Sequence, residues 1–175
     1  VTIPEKPGAF KKFCATLGKR NITEFNYRYT DSEQAQVFVG LSVTPGGQDL
    51  PMLRDKLVQQ GYQLEDLTNN ETAKLHVRYM VGGHASEAIG EEMVFRVEFP
   101  ERPGALMKFL EALGTDFDIS LFHYRNHGAA YGRILVGFKV PQGKRSALRS
   151  ILTDVGYRHW EETDNVAYKA YLGRR

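Results

Sequence analysis

Cys14 is the only cysteine in this chain, so no internal disulfide can form. No apolar run approaches the roughly 20 residues needed to span a bilayer; the stretch Ile134 to Gly137 is only strand-sized. No basic-then-apolar leader opens the sequence. Five histidines (His76, His84, His123, His127 and His159) are scattered without metal-ligand spacing. An excess of one charge sign is also missing. The 23 basic and 21 acidic residues interleave to a formal +2, so no basic stripe marks a nucleic-acid face. These absences argue against a disulfide scaffold, a membrane span, a metal centre and a nucleic-acid partner, and the expectation is a cytoplasmic protein with small-molecule or protein partners. With 42% hydrophobic and 25% charged residues, 175 residues can bury a core without covalent staples.

What is present is an internal repeat, the feature to establish before any other. Pro4-Glu5-Lys6-Pro7-Gly8-Ala9-Phe10 returns as Pro100-Glu101-Arg102-Pro103-Gly104-Ala105-Leu106, an offset of 96, and nine of the fifteen positions from Pro4 to Gly18 are identical. Ile22-Thr23-Glu24-Phe25-Asn26-Tyr27-Arg28 matches Ile119-Ser120-Leu121-Phe122-His123-Tyr124-Arg125, and Val37-Phe38-Val39-Gly40 matches Ile134-Leu135-Val136-Gly137, both at an offset of 97. The offset changes only between blocks, as it does when insertions fall in loops that join fixed elements.

Each copy spells the same elements. Phe10, Phe13, Cys14 and Leu17, and equally Leu106, Phe109, Leu110 and Leu113, lie at i, i+3, i+4 and i+7, the stripe of an amphipathic helix. Phe25, Tyr27 and Tyr29 alternate with polar residues. So do Val37, Val39, Leu41 and Val43, and in the second copy Ile134, Val136, Phe138 and Val140, which predicts two strands per copy. Leu148, Ile151, Leu152 and Val155, with Leu53 and Leu57 as counterparts, predict a second helix, and a short fourth strand is expected after each. With Val94 to Phe99 as a first strand, the order is βαββαβ. The predicted fold is therefore α+β: two tandem ferredoxin-like sandwiches, with helices on one sheet face. Residues 1–80 form the first unit, its first strand cut short and a helix over Asn69 to Tyr79 trailing it. Residues 81–90 are a linker, and 91–175 form the second unit. Because Val1-Thr2-Ile3 aligns with Val97-Glu98-Phe99, the expectation is a piece of a longer polypeptide.

Two readings stand open for the repeated turn. Gly8-Ala9 and Gly104-Ala105 either let a ligand carboxylate reach the backbone N–H groups at a helix start, or serve only as strand-to-helix turns. Tyr27 and Tyr124 either pack mid-strand or, beside Arg28 and Arg125, present a phenol and a guanidinium to an amino acid. Cys14 has Leu110 as its counterpart and reads as a buried hydrophobe. His123 replaces Asn26, so the role the two share is a polar contact. No nucleophile elbow and no catalytic carboxylate pair is visible, so no catalytic residue is assigned.

Four motifs in order make the chain familiar: Thr23 to Arg28, Leu75-His76-Val77-Arg78-Tyr79-Met80-Val81-Gly82-Gly83, Phe99 to Leu106, and Ser120 to Arg125. Over essentially its whole length the chain resembles the C-terminal regulatory domain of biosynthetic threonine deaminase (threonine dehydratase), a pair of ACT-like subdomains. The resemblance implies isoleucine as inhibitor and valine as its opponent. It also implies a missing N-terminal catalytic domain that uses pyridoxal phosphate to turn threonine into 2-oxobutanoate and ammonia, with no cofactor in this chain, and a homo-oligomer, a tetramer in the full enzyme. It places the effector sites at Tyr27 and Tyr124, with Arg125 and Arg78 nearby. The rival of a different class is a tandem RRM-like RNA-binding protein, which shares the element order. Its Lys/Arg-Gly-aromatic run is absent from the third strands, which offer Phe38 and Leu135.

Overall fold

A computed structural model describes residues 1–30, 33–70, 83–86, 89–126 and 130–173. The second copy runs β5 (Glu92–Pro100), α3 (Ala105–Ala112), β6 (Asp118–Arg125), β7 (Tyr131–Lys139), α4 (Arg145–Val155) and β8 (Arg158–Glu161). Its strands lie in the order β6-β7-β5-β8, all antiparallel, which is the ferredoxin-like arrangement.

The first copy runs β1 (Thr2–Pro4), α1 (Ala9–Leu17), β2 (Ile22–Arg28), β3 (Gln34–Gln36), β4 (Phe38–Leu41) and α2 (Asp49–Gln59). Where the sequence predicts one strand through Val43, the structure has two short ones that part at Val37. This residue exchanges backbone hydrogen bonds with Val1, so β3 serves β1 while β4 serves β2. The expected fourth strand shrinks to one bridge, Thr2 opposite Gln63, because β1 spans only three residues. The helix expected over Asn69 to Tyr79 falls outside the described residues from 71 onward, and Asn70 itself sits in a turn, its amide donating to Leu67 O.

The two copies share one sheet. Their equivalent strands β2 and β6 pair antiparallel, with Phe25 opposite Tyr124, Asn26 opposite His123 and Tyr27 opposite Phe122. Asn26 and His123 are also repeat mates, so the local twofold that relates the copies passes between them. The sheet continues as β4-β2-β6-β7-β5-β8. Helices α1 and α3 pack side by side on one face, and the Phe10 ring of α1 lies 5.2 Å from Phe25 in its own copy and 5.3 Å from Phe122 in the other. A single apolar core therefore runs across both copies, with Phe13, Phe25, Phe109 and Phe122 wholly buried.

Sequence pattern did not announce the last helix, α5 (Val166–Tyr171). Asn165 Oδ1 accepts the Tyr168 amide at 3.4 Å, an N-cap that Asp164-Asn165 ahead of the run could have signalled.

Candidate functional site

The twofold places each Pro-Gly turn against the other copy's first helix. In the first copy, the turn Pro4 to Gly8 and the start of α1 face Leu110, Leu113 and Phe117 of the second copy, with Tyr27 and Tyr29 between them. They enclose a cavity of about 380 Å³. Small-molecule sites run from roughly 300 to 1,000 Å³, so an amino acid fits. The related hollow sits at the turn Glu101 to Gly104, with Tyr124, Cys14 and Ile22, but holds only about 40 Å³, little more than one water.

The turns themselves are alike. Ala9 and Ala105 donate their amides to Lys6 O and Arg102 O, and Gly8 and Gly104 begin the helices at φ +76° and +86°. That left-handed backbone is what demands glycine. The space above them differs. Nothing lies within 4 Å of where a Cβ would stand on Gly8, whereas the Lys19 side chain covers Gly104 from 3.7 Å.

The glutamate of each Pro-Glu-x-Pro-Gly motif, which sequence reasoning passed over, is the polar centre of each hollow; its recurrence at identical places in the repeat was the available signal. In the second copy Glu101 is satisfied: Tyr124 OH donates to both its oxygens at 2.7 Å, and Asn126 Nδ2 adds a bond at 3.2 Å. In the first copy the repeat mate of Asn126 is Tyr29, which brings no amide. Tyr27 OH donates to Glu5 Oε2 at 3.3 Å, and buried Oε1 has no hydrogen-bond partner among the described residues. Burial pushes the Glu5 carboxyl up to about 7, against the opposing pull of the Tyr27 hydroxyl and the Lys139 charge. Burial likewise raises the phenols of Tyr27 and Tyr124, with their glutamates adding to it.

Two further charges distinguish the larger cavity. Asp118 Oδ1 accepts the Gly8 amide at 3.2 Å, so a carboxylate already occupies this backbone donor. Lys139 lines the wall, its ammonium resting on the Tyr29 ring.

Of the residues singled out from sequence, Gly8, Ala9 and Tyr27 meet in the larger cavity, and Gly104 and Tyr124 in the smaller; Ala105 is buried beside it, its amide held by the turn. The arginines do not join them. Successive strand residues face opposite ways, so Arg28 emerges on the far side of the sheet from Tyr27. There it is 2% exposed, pairs with Glu92 at 2.7 and 3.2 Å and donates to Leu172 O at 2.6 Å. Glu92 also accepts from Ser120 and Tyr168, so this cluster pins α5 to the sheet. Arg125 is exposed, and Arg78 lies outside the described residues. His123 is driven down to about 4 by burial and then by Arg28, and its Nε2 has no partner among the described residues. Cys14 is buried, and its thiol is raised by that burial.

Comparison with known proteins shows the family. The model of the C-terminal regulatory domain of threonine dehydratase matches residues 1–77 and again 83–172. The chain is 48% identical over 172 residues to L-threonine dehydratase biosynthetic IlvA of Burkholderia multivorans, and 46% identical over 172 residues to that of Escherichia coli; each match covers 98% of this chain. It is 36% identical over 170 residues to the chloroplastic biosynthetic threonine dehydratase of Arabidopsis thaliana, covering 97% of this chain. The matched part is 34%, 33% and 28% of those proteins, so the chain spans about a third of the length of such relatives.

Proposed function

We propose that this chain, which belongs to the family of C-terminal regulatory domains of threonine dehydratase, binds branched-chain amino acids in the cavity between its two ACT-like copies and passes their occupancy to a catalytic domain. The observation that carries this reading is the cavity itself. Apolar side chains from one copy (Leu110, Leu113, Phe117) face a turn and a tyrosine from the other, so a bound aliphatic side chain touches both. Isoleucine acts as inhibitor and valine opposes it. The two differ by one methylene, worth about 1 to 3 kcal/mol in an apolar pocket, so their opposite actions come from the arrangement of the copies that each prefers rather than from affinity alone.

Catalysis belongs to an N-terminal domain that uses pyridoxal phosphate, in a cytoplasmic homo-oligomer. The cavity described above does not suit that cofactor: two carboxylates, Glu5 and Asp118, face the space a phosphate would need, and the Gly8 amide already serves Asp118. On this reading the chain alone is expected to be inert toward threonine. Melting curves with millimolar isoleucine or valine test the reading. A rise in the midpoint of a few degrees is expected, and an unmoved midpoint with both ligands overturns it.

A further inference from the structure

The two hollows are related by the twofold and share their central glutamate, yet the groups around it differ, and the difference has a chemical direction. Around the larger cavity stand a carboxylate with one unpartnered buried oxygen, Glu5, and an ammonium held on an aromatic face, Lys139. The repeat mate of Lys139 is Ser42, and that of Lys11, which also lines this cavity, is Met107. Asp118 is already engaged by the Gly8 amide, and Tyr27 by Glu5. In the smaller hollow the glutamate is fully served by Tyr124 and Asn126.

Resting on the functional reading above, we propose that the cavity over Gly8 takes its effector as a zwitterion, Glu5 receiving the α-ammonium group and Lys139 the carboxylate. Three physical points support the assignment. A buried carboxylate oxygen without a donor costs free energy that an incoming ammonium recovers. Glu5 comes from the first copy and Lys139 from the second, so a zwitterion held by both ties the copies together as it binds. Leu110, Leu113 and Phe117 leave the aliphatic end an apolar wall.

Protonation follows from the same geometry. Tyr27 from β2, Lys139 from β7 and the Thr30 backbone act on Glu5 to lower it and Asp118 from β6 to raise it, while Tyr29, Lys6 and Lys11 line the same cavity. Among the described residues no histidine lines the cavity. With the empty-site carboxyl near 7, acid fills the ammonium's place with a proton, and affinity falls up to about tenfold per unit below that value.

Calorimetric titration of the chain tests this with three probes: L-isoleucine, the hydroxy acid 2-hydroxy-3-methylpentanoate, which lacks the ammonium group, and 2-methylbutylamine, which lacks the carboxylate. Glu5→Gln should weaken isoleucine by about ten- to a hundredfold, erase the preference over the hydroxy acid and flatten the pH dependence. Lys139→Met should weaken isoleucine and leave the amine unchanged. Melting points of the unliganded variants at or above that of the parent chain show that folding is intact; if either melts lower, the probe preferences and the pH slope, which a general loosening does not alter selectively, decide the matter. Variants that keep the parent chain's preference and pH profile overturn the assignment while leaving the functional reading in place. Failure of the parent chain to bind isoleucine overturns both.

Discussion

Arg28 and Arg125 are repeat mates with opposite fates, and the contrast reads directly in stability. Removing Arg28 leaves the Glu92 carboxylate buried and unpaired, which costs about 3 to 5 kcal/mol. Arg125 is exposed, and its loss should stay within about 0.5 kcal/mol. Urea titrations of Arg28→Ala and Arg125→Ala check this, and equal losses would contradict it. His123 and Glu5 pull the pH profile in opposite directions. His123 is held neutral down to about 4 in the fold, whereas the unfolded chain takes up that proton near its ordinary 6.5. Its contribution is therefore present above 6.5 and lost as pH falls toward 4. Glu5 is raised to about 7 from 4.5, so its contribution is present below 4.5 and lost as pH rises through 7. Relative to the parent chain, His123→Asn should gain about 1 to 3 kcal/mol of stability as pH falls from 6.5 to 4, read from urea midpoints of both; a constant difference between the two would show that His123 is not held neutral.

At the scale of elements, the repeat made helices and strands legible, because a 3.6-residue stripe and a two-residue alternation each appear twice. Phe13 with Phe109 and Leu17 with Leu113 are buried as that pattern requires. What the pattern concealed was asymmetry. The break at Val37 arises because one short stretch serves two partners, and Tyr29 standing where Asn126 stands decides which glutamate is satisfied. Neither is a matter of periodicity. Arg28 parts from Tyr27 for a related reason: adjacency in a strand puts the two on opposite faces. The turn glycine supplies an element-scale prediction. Gly8→Ala meets no steric neighbour, so its cost is the left-handed backbone alone, about 1 to 2 kcal/mol, while Leu110→Ala in the packed α3 costs about 2 to 5. Thermal melts of both variants rank them, and a larger loss at Gly8 would mean that more than backbone conformation is at stake.

At the scale of the molecule, the β2–β6 ladder, the Phe10–Phe122 contact and the Arg28–Glu92 pair all cross between the copies, so their cores are continuous. Unfolding should be a single transition. Far-UV circular dichroism, which sees both copies, and Trp160 fluorescence, which reports on β8 of the second, should coincide; a separate early phase seen only by dichroism would mean that the first copy melts alone. The same crossing places the larger cavity where occupancy acts on both copies at once, which is the central claim. A crystal structure of the chain grown with saturating isoleucine tests it most directly. The account predicts the ligand between Gly8, Tyr27 and Leu113, its side chain against the second copy. Isoleucine bound elsewhere, for instance in the hollow of about 360 Å³ between α2 and β4, with this cavity empty, would contradict it.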